Sequence, residues 1–421
     1  MGGSIYVTCV QEQDFTPASG LCGRAFQLTA GDAEFSVFFA LPEANASFLS
    51  TAPYVILPYA AMLALVHGED LNCGGMTADS VLLRNMRCAL EEVVRAHSGF
   101  RVPQIVNLTE APVVANTSGQ TGVFFSGGID SFFSVLRHRK GGDADGAQWI
   151  GPATHAIHIY HTPEPVGIEA FETLAPLASA VDALGLSFIP LQSNYMTADR
   201  CLNDHWADLA HGAGLATVLH LLSGGLRQGL IGSTHTWGAL VPWGSGPISD
   251  PLWSGRRMQV IHDDAAYDRV EKTELISQHP EALANLNVCD TRVDGKGYVN
   301  CSVCPKCLRT MLTLDLFGKN ERRTAPAFDW SNYRPAAFAR VFLRTENDTT
   351  FAFAIRDRAQ TADRPDIVLA CDAALRRGRF LRPIARIEDF VKNSRIGRRY
   401  RRRLVEWRRS IYNRLGFATR S

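Results

Sequence analysis

The stretch Val123-Phe-Phe-Ser-Gly-Gly-Ile-Asp-Ser-Phe-Phe133, "VFFSGGIDSFF", joins two apolar runs through a pair of glycines. The first run, residues 122–125, predicts a buried β-strand, and the run that opens at Ile129 has the spacing of a helix. Glycines at 127 and 128 let the backbone bend sharply and remove the Cβ atoms that would block a closely approaching ligand. The stretch therefore predicts a strand, a tight turn and a helix, with a ligand bound at the turn.

The polar residues of the turn indicate that this ligand is a phosphate. Backbone N–H groups at the start of a helix, with the helix dipole behind them, favour an anion. Ser126 and Ser131 add hydroxyl donors, and Asp130 either caps the helix or holds Mg²⁺ against phosphate oxygens. The spacing is neither that of a Walker loop nor that of a dinucleotide-binding loop. An ordinary strand–helix turn with a capping serine is the alternative.

Beyond the turn, strand and helix patterns alternate. Apolar runs typical of strands occupy residues 122–126, 154–161, 186–193 and 229–234, with helical patterns between them. Such alternation implies right-handed βαβ units and a parallel sheet.

We therefore expect an α/β fold built from three parts. A parallel-sheet, Rossmann-like domain with a structural zinc subsite occupies residues 116–320. A smaller α+β accessory domain at 1–115 precedes it, and a helical region at 321–421 follows it.

Four of the ten cysteines cluster late in the central domain. Cys301, Cys304 and Cys307 form a C-x-x-C-x-x-C motif, and Cys289 precedes it. This spacing lets the thiolates turn toward one ion, and four thiolates around Zn²⁺ make a closed tetrahedral site. We expect structural zinc; an iron–sulfur cluster or a redox or sulfur-carrying cysteine pair are the alternatives.

Together, the two motifs resemble those of a known enzyme family. The Ser-Gly-Gly-x-Asp-Ser pattern is similar to the pyrophosphate-binding loop of the PP-loop ATP pyrophosphatases. With the cysteine pattern it resembles the 7-cyano-7-deazaguanine synthases (the QueC family), over about residues 120–318. The resemblance implies that ATP is cleaved to AMP and pyrophosphate to activate a carboxylate, which ammonia or an amine then attacks.

The resemblance also implies cofactors and site residues, with ATP, Mg²⁺ and Zn²⁺ bound. The phosphates would be bound by Ser126, Gly127, Gly128, Asp130 and Ser131, and zinc by Cys289, Cys301, Cys304 and Cys307. Asp130 and Lys272 would act in catalysis, Lys272 by reaching phosphate or carboxylate. A surface salt bridge is the alternative for Lys272.

The chain departs from the family pattern where a substrate would be chosen. His211 and Gly212 stand where the family usually has an Arg-Asn pair, and an insert rich in Trp, Gly and Pro follows the fourth strand. The sequence therefore predicts either a deazaguanine-type compound or a macromolecule as the substrate. His235, Trp237 and Trp243, in this insert, either contact the substrate or pack the loop.

Three consecutive residues further along, His262, Asp263 and Asp264, have polar side chains with open roles. They offer a general base or a Mg²⁺ ligand. We favour instead a helix N-cap formed by Asp263 or Asp264.

Charge and hydropathy suggest a location and partners. The net charge of +1 conceals a basic C-terminus, because residues 376–421 contain 16 Arg and Lys against 3 Asp and Glu. We expect the amphipathic segment 395–417 to pack against the acidic remainder of the chain or against an acidic partner. Binding to nucleic acid or to lipid are the alternatives. With no bilayer-length apolar stretch and no secretory signal pattern, we expect a cytoplasmic protein, with a protein partner or substrate or a homodimer as further expectations.

Two rival functions stay open. A PP-loop sulfur transferase acting on tRNA would need catalytic cysteines. A nucleotide-binding adaptor without catalysis would bind ATP and recruit nucleic acid through the basic segment. Both rival functions keep the nucleotide-binding loop. They differ in that the sulfur transferase uses the cysteines in catalysis, whereas the adaptor uses the C-terminal segment to bind nucleic acid.

Overall fold

The computed structural model describes residues 7–13, 15–117, 119–143, 149–289, 300–393 and 410, and it forms two compact units. The first unit comprises Met1–Ser126 and Ser134–Ala266, and the second comprises Gly127–Phe133 and Tyr267–Ser421. The three domains predicted from the sequence do not coincide with these units. Apart from residue 410, the basic segment 395–417 lies outside the described residues.

The described part of the first unit contains a ten-stranded sheet in the order β10-β9-β6-β7-β8-β3-β2-β1-β4-β5. Six of its nine strand pairs are parallel. The strands are β1 (Val7–Gln13), β2 (Leu21–Ala30), β3 (Ala33–Pro42), β4 (Asp70–Asp79), β5 (Ile105–Ala111), β6 (Thr121–Phe124), β7 (Ala153–His161), β8 (Ser187–Ser193), β9 (Gln228–Gly232) and β10 (Gln259–Asp263).

Strands β6 to β10 form an all-parallel half of the sheet, in which β6 lies between β7 and β9. After β6 the chain adds β7 and β8 on one side of it and then β9 and β10 on the other side. Open α/β sheets bind ligands at the strand where the order reverses in this way, which here is β6. The four strands predicted from apolar runs are confirmed as β6 to β9. The fold is thus α/β with a large, mostly parallel sheet, compatible with the predicted Rossmann-like fold.

The N-terminal strands continue the same sheet. β3 pairs antiparallel with β8, where Phe39 lies opposite Ser193 and Ala40 opposite Gln192. The buried Ser193 hydroxyl also donates to the carbonyl of Phe38 at 2.6 Å. Strand β3 is therefore part of the same sheet as the parallel strands β6 to β10.

The helices cover the sheet or build the second unit. α1 is apolar all round and buried over Leu57–Leu65, whereas α2 buries one face only. The helices are α1 (Leu57–His67), α2 (Ser80–Ala96), α3 (Ile129–His138), α4 (Ala175–Ala183), α5 (Arg200–Asp204), α6 (His211–Leu221), α7 (Arg269–Ser277), α8 (Pro280–Asn285), α9 (Pro305–Leu316), α10 (Glu346–Thr361) and α11 (Pro365–Asn393). No described helix is both long and apolar enough to cross a membrane.

The second unit has an apolar core of its own, to which α7, α9, α10 and α11 contribute Val270, Leu312, Ile355 and Ala374, among others. A polar contact at the end of α9 also stabilises this unit. There the buried Asp315 carboxylate accepts hydrogen bonds from Arg364 at 3.2 Å and from the Tyr333 hydroxyl at 3.0 Å. Because both donors come from later segments, Asp315 ties them to α9.

Candidate functional site

The glycine turn follows β6 directly and leads into α3. Gly127 has φ +76°, in the left-handed region that L-residues with a Cβ avoid. Its carbonyl accepts a hydrogen bond from the backbone of Asn287 at 2.7 Å. The Gly128 carbonyl accepts from the backbone N–H of Phe132 and from the hydroxyl of Ser131, both at 3.0 Å. The turn therefore needs glycine at 127, and the Ser131 hydroxyl is occupied by the carbonyl of Gly128.

Ser131 and Ser126, both predicted to bind phosphate, have different surroundings. Ser126 is exposed, whereas Ser131 is buried and donates to the carbonyl of Gly128. An anion at this turn would therefore meet the Ser126 side chain more readily than that of Ser131.

Asp130, in the first turn of α3, lies between two cations from α7. Arg269 donates to both of its carboxylate oxygens, and Lys272 Nζ lies 3.9 Å from Oδ1. The Lys272 side chain is only 2% exposed, which excludes the surface salt bridge considered for it. Burial alone would raise the pKa of Asp130, but the charges of Arg269 and Lys272 outweigh it and lower that pKa. Asp130 is therefore a carboxylate at neutral pH.

A third cation, Arg309 of α9, belongs to the same group. Arg269 and Arg309 lie over the ring of Phe351, at 4.6 and 4.4 Å from its centroid. Burial and the nearby charge of Arg269 lower the pKa of Arg309 to about 9. Its Nε is buried, with no hydrogen-bond partner among the described residues. Arg309 also interacts electrostatically with the carboxylate of Asp348, so the group contains three cations and two carboxylates, and an anion would complement the remaining positive charge.

The space beside these cations is small. A cavity of about 10 Å³, lined by Ile129, Arg269, Arg309 and Phe351 among others, has room for roughly one water. Both oxygens of Asp130 are engaged by cations, so this arrangement suits holding Arg269 and Lys272 better than the predicted role of Mg²⁺ ligand. A phosphate would have to draw the Arg269 side chain away from Asp130.

The four cysteines predicted to bind zinc lie together in the second unit. Their sulfur atoms all lie within 4.8 Å of one another, and Cys289, Cys304 and Cys307 are buried. The backbone N–H of Cys301 donates to Cys289 Sγ, and that of Cys304 to Cys301 Sγ, each at 3.3 Å. Such N–H donors stabilise thiolates, and the set fits a closed tetrahedral metal site. The clustering predicted from the motif is confirmed.

Two local features hold the cysteine segments in place. The buried Asn300 accepts from the backbone of Val288 and donates to the carbonyls of Leu286 and Ala327, at 2.8 to 3.0 Å. Cys304 is the N-cap of α9, and Pro305 occupies its first turn.

A hydrogen bond from the Cys307 thiol lowers the pKa of Cys304 to about 5, so its sulfur is already a thiolate at pH 7.

A separate cavity of about 290 Å³ lies in the first unit, where β9 and β10 end. His235 and Trp243, two of the three residues predicted to contact substrate, line it. Trp237 is not among its lining residues, and its side chain is 59% exposed. The walls are mostly apolar, with Leu240 and Ile248 among them. A cavity with these walls and a few polar groups is the usual form of a small-molecule site.

A histidine–carboxylate pair that the sequence did not reveal supplies polar groups to this cavity. His262 lines the cavity, and its Nδ1 lies 2.8 Å from Oδ2 of the fully buried Asp250. The Ser245 hydroxyl donates to the same oxygen at 2.6 Å. A Cβ at residue 212 would overlap the other oxygen of Asp250. Gly212, one of the departures from the family pattern, therefore makes room for the carboxylate that orients His262.

No protein-family model, curated protein or solved structure matched this chain. The fold and the side-chain geometry therefore carry the functional argument. They define an α/β protein with a mostly parallel sheet, a cationic group around Asp130, a four-cysteine cluster able to bind a metal such as zinc, and an apolar cavity.

Proposed function

We propose that the chain is an ATP-dependent carbon–nitrogen ligase or synthase of the PP-loop, 7-cyano-7-deazaguanine synthase-like type. In this proposal ATP is cleaved between its α and β phosphates. AMP is transferred to a carboxylate oxygen, pyrophosphate leaves, and ammonia or an amine displaces AMP.

The cationic group at the glycine turn carries the proposal. Arg269 and Lys272 contact the carboxylate of Asp130 in the first turn of α3, and Arg309, which also interacts with Asp348, lies with Arg269 over Phe351, so three cations face two carboxylates. Buried positive charge in excess is costly unless an anion complements it. The turn follows β6, the strand at which the winding of the sheet reverses. Both observations support a bound polyphosphate.

In the proposed reaction these residues act by electrostatics. As the bond between the α and β phosphates breaks, negative charge builds up on the leaving pyrophosphate, and cations fixed in advance stabilise it without reorganisation. Asp130 would hold Arg269 and Lys272 in place before the nucleotide binds, and Gly127 would keep the turn open to the phosphates. Zinc bound by the four cysteines would cross-link the chain and take no part in the reaction.

The 290 Å³ cavity is the proposed site for the organic substrate. Its lining contains no lysine or arginine among the described residues, so it suits a neutral ring or acyl group better than a free anion. His262, oriented through Nδ1 by Asp250, presents its other nitrogen for a hydrogen bond or a proton.

The products formed from labelled ATP test this function. The purified chain would be incubated with α-labelled ATP, Mg²⁺ and ammonium, together with 7-carboxy-7-deazaguanine or a small-molecule cell extract. We expect labelled AMP, with an equal amount of pyrophosphate measured in parallel from γ-labelled ATP, and both reduced about 100-fold in Asp130→Asn. Asp182→Asn, at an exposed position on α4, is the matched control. ADP as the sole product would exclude the proposed chemistry.

A further inference from the structure

Two consecutive carboxylates at the end of β10 converge on a histidine of α3. His138 Nε2 lies 2.8 Å from Asp263 Oδ1 and 4.0 Å from Asp264 Oδ2. One potential ligand atom from each residue lies within 4.8 Å of those of the other two. The three side chains are between 3% and 6% exposed. All three residues belong to the first unit.

The backbone explains why this histidine, and not His262, joins the two aspartates. Successive side chains of a strand point to opposite faces, so His262 turns toward Asp250 and Asp263 turns the other way. Asp264 has φ +61°, a left-handed turn that lets two adjacent carboxylates approach the same point. The favoured helix N-cap is wrong for both aspartates, because the N-cap of α7 is Asp268.

The hydrogen bonds of this cluster are incomplete. Arg137 donates to Oδ1 of Asp264. The second oxygens, Asp263 Oδ2 and Asp264 Oδ2, are buried and have no hydrogen-bond partner among the described residues. A buried carboxylate oxygen without a donor costs free energy. A proton on His138 would balance charge but would bring these two oxygens no further donor, whereas a cation between the three side chains satisfies both needs.

We propose that His138, Asp263 and Asp264 bind one divalent metal ion, independently of the glycine turn and of the four cysteines. One imidazole nitrogen and two carboxylates are a mixed nitrogen and oxygen ligand set, which suits first-row ions such as Mn²⁺ or Zn²⁺ and offers no thiolate to softer ions. The ion joins the last turn of α3 to the end of β10, so its role is to stabilise the first unit.

Mn²⁺ is the probe that separates this site from the cysteine cluster, because thiolates are poor ligands for it. The full chain is treated with EDTA and dialysed, and Mn²⁺ is titrated while the electron paramagnetic resonance signal of free Mn²⁺ is recorded. We expect one Mn²⁺ bound per chain. Asp263→Asn and His138→Gln should each weaken binding at least about 10-fold.

A matched pair in the same unit serves as control. His205 and Asp208 also form a His–carboxylate contact, at 3.4 Å, but both are more than a third exposed. Asp208→Asn should bind Mn²⁺ like the unaltered chain. Melting temperature gives a second measurement: Mn²⁺ should raise that of the unaltered chain and leave that of Asp263→Asn unchanged. Absence of Mn²⁺ binding by the unaltered chain, or equal binding by Asp263→Asn, would overturn the proposal.

Discussion

Lys272 Nζ and Asp130 Oδ1 lie 3.9 Å apart, although one residue belongs to α7 and the other to the first turn of α3. The lysine is buried, and its ammonium also lies 5.5 Å from the centroid of the Phe133 ring. A buried lysine is held in its charged form only by such partners. The pair therefore fixes a positive charge beside the glycine turn.

Replacing Lys272 tests whether this charge binds nucleotide. Lys272→Met keeps most of the side-chain volume and removes the cation, so we expect Mg-ATP to bind about 10-fold more weakly, since one charge-assisted contact is lost. Binding is measured by fluorescence with a labelled ATP analogue. Lys140→Met, at an exposed position, is the control. Equal affinity in all three chains would remove Lys272 from the proposed site.

Acid titration tests the role of Asp130 in stability. Its folded-state pKa lies below the ordinary value, so its contribution is fully present above the unfolded pKa and is lost as pH falls through the folded pKa. At pH 7 Asp130→Asn should destabilise the chain by about 3 kcal/mol, because Arg269 and Lys272 lose their counter-charge. Below about pH 4 the difference should shrink. Urea unfolding from pH 3 to 7 measures the difference in the free energy of unfolding between the unaltered chain and Asp130→Asn. A difference that stays constant over this range would contradict the role assigned to the Asp130 carboxylate.

The cysteine cluster makes a prediction that separates a structural metal from sulfur chemistry. Cys304→Ser should abolish metal binding by the cluster and lower the melting temperature by roughly 5–10 °C, because a metal held by the four cysteines would cross-link the start of α9 to the segment at Cys289. Metal content is measured by mass spectrometry. Cys88→Ser, an exposed cysteine on α2, is the control. A fully folded, metal-loaded Cys304→Ser that has lost activity would favour the sulfur transferase alternative.

Gly212 makes the fourth prediction. A Cβ there would overlap Asp250 and lie 2.8 Å from the Gly244 carbonyl, so Gly212→Ala should destabilise the chain by about 2 kcal/mol and disturb the contact between Asp250 and His262. Denaturant unfolding measures the first effect, and the NMR titration of His262 the second. At Gly238 an added Cβ meets nothing within 4 Å, so Gly238→Ala should change stability by less than about 0.5 kcal/mol.

Local patterns in the sequence predicted the features that depend on neighbouring residues. The glycine turn, strands β6 to β9 and the cysteine cluster each depend on short spacing, and each is present as expected. Strand β10 was missed because it has only five residues, two of them buried hydrophobics. A run this short and mixed gives little periodic signal.

Contacts between distant segments could not be read from the sequence. Arg269 stands in a charged run after Asp268, where it resembles a solvated helix face, yet it reaches Asp130. Arg309 follows Cys307 by two residues, and the structure places it over the ring of Phe351, more than forty residues later in the chain. The partners of His262 and of Asp263 likewise come from other elements, and spacing along the chain does not encode them.

The antiparallel pairing of β3 with β8 has a consequence for the history of the protein. If the first 115 residues were cut away, β8 would lose its pairing with β3 at Gln192 and Ser193, and that edge would be open to other chains. We therefore expect a shortened chain starting at residue 116 to aggregate. A shorter ancestor without β3 would have needed another way to cover that border.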